Sequence, residues 1–183
     1  MFGWLASIEL GSSRNASHEA TTTGNGGEVV VTATSRLFEM AALVSLVSGL
    51  GASLLLPATM IRTRRTSFGT GMSLLVAAGV LSSAARRRLG RFHRDALTVH
   101  DDHQVIDTGP YGYVRHPLYL ATVGVFVGTG AVLGNWVSVA VAALPTAALA
   151  RRIVVEERML VDHLGEDYLT YQERTSRLVP GLW

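Results

Sequence analysis

Cysteine is absent from all 183 residues, which excludes disulfides, thiolate catalysis and cysteine-ligated zinc or iron–sulfur centres. Lysine is absent too, so the 16 basic side chains are all arginine. Charge of either sign is scarce, at 16% of residues, and the net charge of +2 is too small to suggest a nucleic-acid partner. The opening MFGWLASIEL lacks the basic start and long apolar stretch of a secretory leader, so no cleaved signal peptide is expected. What the chain has instead is apolar side chains. Hydrophobic residues make up 48% and the mean hydropathy is +0.29, a balance that points to a membrane.

Residues 1–35 stand apart. Gly11 to Gly27 is rich in Ser, Thr, Gly and Asn, too poor in apolar surface to offset the entropy of ordering, and is expected to be a mobile tail. Residues 36–183 are expected to form one all-α membrane domain. Met40–Ile61 carries no charge and as a helix spans roughly 33 Å, enough for a bilayer core; Pro57 is placed to kink it near its end. Thr66–Ala85 is a second charge-free run. The short link between them predicts an antiparallel hairpin, with Gly49, Gly51, Gly71 and Gly79 allowing close approach. Leu118–Ala150 is a third such run, roughly 50 Å as one helix and so too long for one crossing. Gly134-Asn135 reads as a turn that divides it into a second hairpin, with Pro145 kinking the later helix. Beyond it, Ile153–His163 should be helical with Gly165 ending it, followed by a short helix over Glu166–Glu173. The apolar end RLVPGLW is expected to fold back onto the membrane face, with Trp183 at the interface.

Four crossings place Arg86, Arg87, Arg88, Arg91, Arg94, Arg115, Arg151 and Arg152 on one side. The positive-inside rule makes that side, both termini and the C-terminal helices cytoplasmic, although Arg62, Arg64 and Arg65 then lie opposite. The arginine-only, Ala- and Gly-rich composition suits a GC-rich bacterium, so an inner-membrane location is expected. Two polar blocks, residues 100–119 and 151–171, bracket the third apolar run. Its folding into a hairpin brings them to one membrane face as a composite site.

GPYGYVRHPLY, at residues 109–119, followed by EERMLVDHLGEDYLTYQERTSRLVPGLW, resembles the isoprenylcysteine carboxyl methyltransferase family, whose C-terminal pattern is shared with phospholipid methyltransferases. That pattern is a GPY turn, an RHPxY stretch, a hydrophobic hairpin, a Glu pair and an FG-x-x-Y-x-x-Y tail. The resemblance covers roughly residues 91–183. It implies methyl transfer from S-adenosyl-L-methionine to a lipophilic or lipid acceptor, most simply O-methylation of a carboxylate. His103, Gln104, Val105 and Ile106 match the stretch lining the cofactor before the turn. Tyr111 matches the aromatic residue of the turn, and His116, Pro117, Leu118 and Tyr119 match the HPxY cofactor contact. Glu156 matches the acid that holds the cofactor, and Arg152 the arginine that contacts the acceptor. Ala121 stands where the family often has Gly, and Leu164 replaces the usual Phe before Gly165.

The chemistry of the residues agrees in part. A sulfonium or ammonium cation is stabilised by a carboxylate and by aromatic faces, which Glu156, Tyr111 and Tyr119 supply. His116 can hydrogen-bond the cofactor's carboxylate or ribose, and the helix start at Pro117 favours an anion. Arg152 and Glu156 are four apart, on one helix face; the arginine can grip a carboxylate with two parallel bonds. A carboxylate acceptor, ionised at pH 7, needs alignment rather than a base, whereas an amine or alcohol needs one, with Glu156 or His116 as candidates.

Plainer readings compete. Arg152 and Glu156 can be an ordinary ion pair at the membrane edge. Tyr113, Tyr168 and Tyr171 read as interfacial or packing residues. His93, His100 and His103 with Asp101-Asp102 fit no strong metal-ligand spacing, so no metal is expected. Glu157 can stand in for Glu156 but points about 100° away around the helix. Gly124-x-x-x-Gly128 and Gly128-Thr129-Gly130 read as helix packing. The rival enzyme is an NADPH-dependent membrane sterol or lipid reductase, which resembles this C-terminal architecture but carries Asn-Tyr and Gly-Glu after the His-Pro, where Leu118-Tyr119-Leu120-Ala121 stands here. The non-enzymatic rival is a membrane scaffold.

Overall fold

The computed structural model describes residues 24–89 and 105–181, with side chains from residue 33 onward. His103 and Gln104, the His93–Asp102 group, Trp183 and residues 1–23 of the expected tail lie outside the described residues. The described residues are mainly helical: α1 (Gly24–Leu55), α2 (Arg64–Leu89), α3 (Pro117–Leu133), α4 (Trp136–Ala140), α5 (Ala143–Leu164) and α6 (Glu166–Glu173).

The helix ends follow from local chemistry. α1 begins upstream of the charge-free run and includes Arg36 and Glu39: charge marks where a helix leaves the apolar layer, not where its backbone ladder stops. It ends at Leu55, two residues before Pro57, so the proline terminates the helix instead of kinking it. Proline has no N–H and restricts the residue before it, and Pro57–Thr59 forms one 3-10 turn. The Gly134-Asn135 turn falls where expected. Gly134 closes α3 at φ 65°, the left-handed conformation that glycine adopts without penalty. The Asn135 side chain then caps α4 by accepting from Val137 N at 2.9 Å. Pro145 does not kink the next helix either. It occupies the first turn of α5, where its missing N–H has no helical partner to lose, and α5 then runs unbroken to Leu164. The amphipathic segment expected from Ile153 is the second half of α5, not a separate helix.

Three stretches are long and apolar enough to cross a membrane: Ala33–Leu55, Arg64–Leu89 and Trp136–Leu164, with the shorter Pro117–Leu133 beside them. Their surfaces confirm the environment. Leu43, Val47, Leu54, Leu55, Val76 and Val80 are each more than 60% exposed, an apolar exterior that requires lipid.

Packing partners cross between the two halves of the chain. α1 and α2 follow one another but scarcely touch; α2 packs most extensively on α3, and α1 on α4 and α5. Glycines decide the first pairing. A Cβ on Gly71 would sit 2.7 Å from the Gly128 carbonyl oxygen, and one on Gly124 3.3 Å from Ala78 Cβ, so these backbones approach directly. Gly51 and Gly79 face open space and take no part. Ala121, in line with Gly124 and Gly128, is buried, so the alanine there permits close packing. Hydroxyls and one amide hold the second pairing. Ser138 Oγ donates to Gly49 O at 2.7 Å, and fully buried Asn135 donates to Ala52 O at 3.1 Å and Thr59 Oγ1 at 2.8 Å. With no hydrophobic drive between helices in lipid, such contacts supply specificity.

These contacts define two ends. At one, the link after α1 meets the turn after α3, with Ile61 N donating to Gly134 O at 2.8 Å and Arg64 close by. At the other lie the end of α2, the start of α3, the later half of α5 and α6. The distance from Ser35 to Ala52 along α1 is about 25 Å, close to a bilayer core.

Candidate active site

The polar blocks expected to meet do so at the second end. Tyr113–His116 runs beside the C-terminal segment: Arg115 N donates to Ser176 O at 2.8 Å and His116 N to Arg177 O at 3.1 Å, while Ser176 N returns to Tyr113 O at 3.2 Å. The chain end folds back onto this polar strand, and Leu178 is buried beneath it. Pro117 then opens α3 at its first position, where its fixed φ suits a helix start.

Glu157 is the hub that locks this strand to α5. It is 3% exposed. Arg115 Nε donates to Oε1 at 2.7 Å, Arg177 Nε to Oε2 at 2.7 Å, and His116 Nε2 stands 3.3 Å from Oε1. Arg115 also donates through Nη1 to the carbonyls of Gln172, at 3.0 Å, and Thr175, tying down the end of α6. A buried carboxylate with this many charged donors is fully compensated. Glu157 is thereby committed to structure.

Glu156, one residue earlier, faces differently. Its Oε2 accepts from the Tyr119 hydroxyl at 2.7 Å. The same hydroxyl accepts from Arg152 Nε at 2.9 Å, and Arg152 Nη1 donates to Ser35 Oγ of α1 at 2.6 Å. Arg152 and Glu156 therefore do not form the i, i+4 ion pair that their spacing allows: none of the ion pairs among the described residues joins them. A neutral phenol is wedged between the two charges. The His116 ring stacks on Tyr119, with centroids 5.5 Å apart and planes 14° from parallel. His116 Nε2 and Glu157 thus fix the imidazole, the imidazole fixes the phenol, and the phenol spaces the charged pair.

The Gly109–Gly112 turn carries Tyr111 and docks on α6. Gly109 takes φ 63°, the left-handed conformation that glycine adopts without penalty, and the Arg88 side chain packs against it. Tyr171 of α6 donates to the Tyr111 carbonyl at 2.7 Å. Burial pushes the Tyr171 phenol up to about 12, so it remains a donor at physiological pH. Burial also raises the Tyr111 phenol, with Tyr171 and the Glu156 carboxylate adding to the shift.

Of the residues singled out by sequence, His116, Pro117, Tyr119, Arg152 and Glu156 converge here, and Tyr111 lies in the turn just before them. Val105, Ile106 and Leu118 are half-buried nearby in sequence. Tyr168 and Tyr171 are buried packing residues and Tyr113 is 75% exposed. Gly128 and Gly130 pack against Gly71 and Ser138. Sequence reasoning missed Ser35 altogether and took Arg115 only as a topology charge. The adjacency of Arg115 to His116 and the second member of the Glu pair were the available signals for the Glu157 hub; nothing local marked Ser35.

The arrangement can bind a cation and an anion side by side. Glu156 Oε1 has no hydrogen-bond partner among the described residues, nor has Arg152 Nη2, although Arg152 is 6% exposed. A carboxylate between aromatic residues suits a sulfonium or ammonium group, and a free guanidinium edge suits a carboxylate.

Comparison with known proteins meets this geometry. The sequence profile of the isoprenylcysteine carboxyl methyltransferase (ICMT) family matches residues 71–162. The chain is 32% identical over 117 residues to a protein-S-isoprenylcysteine O-methyltransferase of Schizosaccharomyces pombe, covering 61% of this chain and 48% of that one. It is 30% identical over 146 residues to protein-S-isoprenylcysteine O-methyltransferase A of Arabidopsis thaliana, covering 78% and 73%. Methanethiol S-methyltransferase 1 of Bradyrhizobium diazoefficiens is 34% identical over 70 residues, 38% of this chain and 24% of that protein. The chain thus spans about half the length of the Schizosaccharomyces relative and about three quarters of the Arabidopsis one. With the matched segment running from α2 through the Glu156–Glu157 pair of α5, the chain belongs to the isoprenylcysteine carboxyl methyltransferase family.

Proposed function

We propose that the protein is an integral membrane methyltransferase that uses S-adenosyl-L-methionine to methylate the carboxylate of a lipophilic acceptor at the membrane edge. The observation that carries this reading is the Tyr119 hydroxyl between Arg152 and Glu156. A charged pair kept from neutralising itself retains a negative group for a cationic ligand and a positive one for an anionic ligand, a few ångströms apart. When bound, S-adenosyl-L-methionine supplies an electrophilic methyl group. Glu156, Tyr111 and Tyr119 would hold its cationic part, with Val105, Ile106, Leu118 and the Pro117 helix start lining the approach.

Arg152 would hold the acceptor carboxylate. That group is ionised at neutral pH, so no side chain has to remove a proton, and alignment in a site away from bulk water is the protein's contribution. Membrane-exposed helices on every side make a lipophilic acceptor the natural partner. The arginines Arg86–Arg88, Arg115, Arg151 and Arg152 at the active-site end support a cytoplasmic side for it under the positive-inside rule, in a bacterial inner membrane.

The test uses purified protein in detergent, titrated with S-adenosyl-L-methionine and separately with NADPH. The methyl donor should bind, and binding of NADPH alone would sink the proposal. Incubating membranes with methyl-labelled cofactor should then label a lipid. A methyl ester releases its label in alkali, whereas a methyl thioether, the product class in the name of the Bradyrhizobium relative, keeps it. Arg152→Ala and Glu156→Ala should abolish transfer in protein that remains folded, and a scaffold would show no transfer to lose.

A further inference from the structure

We infer that Ser35 of α1 is a positioning residue that sets acceptor selectivity by aiming the Arg152 guanidinium. The inference rests on the reading that Arg152 holds the acceptor's carboxylate.

A guanidinium is a rigid plane, so two of its nitrogens held at fixed points determine where the third one faces. Here Nε is held by Tyr119 and Nη1 by Ser35, at 2.9 and 2.6 Å. Nη2 and the second N–H of Nη1 are the donors left for a ligand. Without the Ser35 hydroxyl, only the Tyr119 contact remains, and the plane can turn about it. Two carboxylate oxygens would then no longer meet two donors in one geometry.

The rest of α1 keeps Ser35 in place. Phe38, one turn further along, meets Phe126 of α3 edge-on, with centroids 6.3 Å apart and planes at 84°. Gly49 and Ser53 meet Ser138 lower down. Helix rotation would break all of these at once.

Ser35 also lies outside residues 71–162, the part that matches the family profile, whereas Tyr111, Tyr119, Arg152 and Glu156 lie inside it. The shared segment therefore supplies the groups of the site, and a helix outside it orients the one that faces the acceptor. Ser35 acts through Arg152, the residue assigned to the acceptor, so the inference separates acceptor recognition from cofactor recognition.

The experiment compares Ser35→Thr with Ser35→Val, side chains of one shape that differ in the hydroxyl, in the full chain in detergent. The probes are N-acetyl-S-farnesylcysteine, its neutral carboxamide and S-adenosyl-L-methionine. Wild type and Ser35→Thr should prefer the carboxylate. Ser35→Val should lose about tenfold or more of that preference, as expected when a charge-assisted hydrogen bond is removed, with cofactor affinity unchanged. In turnover, the acceptor KM should rise more than kcat falls. If Ser35→Val keeps the wild-type preference, the inference is wrong while the role of Arg152 stands. Loss of cofactor affinity in step with selectivity would mean general disruption and would overturn it too. If wild type shows no preference for the carboxylate, the acceptor reading itself fails. Should Ser35→Val not fold, Ser35→Ala removes the same hydroxyl with less bulk and is read against the same outcomes.

Discussion

The charge arrangement of the candidate site turns on a single hydroxyl group. Tyr119 donates to Glu156 and accepts from Arg152, so its removal should let two opposite charges on one helix face collapse together. Tyr119→Phe is therefore expected to lower kcat/KM by about ten- to a hundredfold, the loss of roughly 1.5–3 kcal/mol for hydrogen bonds to charged groups. Steady-state kinetics on folded variant protein checks this, and both the cofactor and the acceptor KM should rise. Arg152→Lys should not restore function in place of arginine, because an ammonium cannot hold Tyr119, Ser35 and a carboxylate with one planar fork. The neighbouring carboxylates Glu156 and Glu157 show how little residue type reveals here. One is half-buried with an oxygen to spare; the other is buried among Arg115, His116 and Arg177. The sequence placed them about 100° apart on a helix, but which kept an oxygen free depended on partners from 41 and 42 residues away.

Between elements, two kinds of contact hold the fold, and each makes a prediction. Glu157→Ala strands the buried Arg115 guanidinium and should cost about 3–5 kcal/mol, seen as a large fall in the thermal midpoint in detergent. Arg177→Ala should cost far less, since that side chain is 35% exposed and screened. On the opposite contact, Gly71→Ala forces a Cβ to 2.6 Å from Val132 N and 2.7 Å from Gly128 O, so α2 and α3 must separate. Gly79→Ala meets nothing within 4 Å and should be neutral. Equal stability of the two alanine variants would show that the α2–α3 interface is looser than described. Glycine content alone did not distinguish these positions, because the distinction lies in which face of α2 meets α3. Helix ends were legible where a local device writes them, as at Gly134-Asn135 and Gly165. The two prolines depart from the kinks their sequence suggests for one reason. Each lies next to a helix end, where a missing N–H costs nothing, so neither Pro57 nor Pro145 bends a helix.

For the molecule in its membrane, the cysteine-free sequence makes orientation directly measurable. Single cysteines at Arg62 and at Glu173 lie at opposite ends of the helices. A membrane-impermeant maleimide applied to intact cells should label Arg62→Cys, and should label Glu173→Cys only after permeabilisation. The reverse pattern would invert the proposed orientation and with it the cytoplasmic active site.

What the sequence determined alone is the membrane character, the apolar helices and the two polar blocks brought to one end. Hydropathy and turn chemistry act between near neighbours, so they can be read along the chain. The tertiary structure decided that α2 pairs with α3 and α1 with α4 and α5, that a phenol separates Arg152 from Glu156, and that Glu157 is structural. It also brought Ser35 to Arg152 from 117 residues away. Those outcomes depend on which helix faces meet, and in lipid that is settled by glycine contacts and single hydrogen bonds, which leave no periodic trace in the sequence.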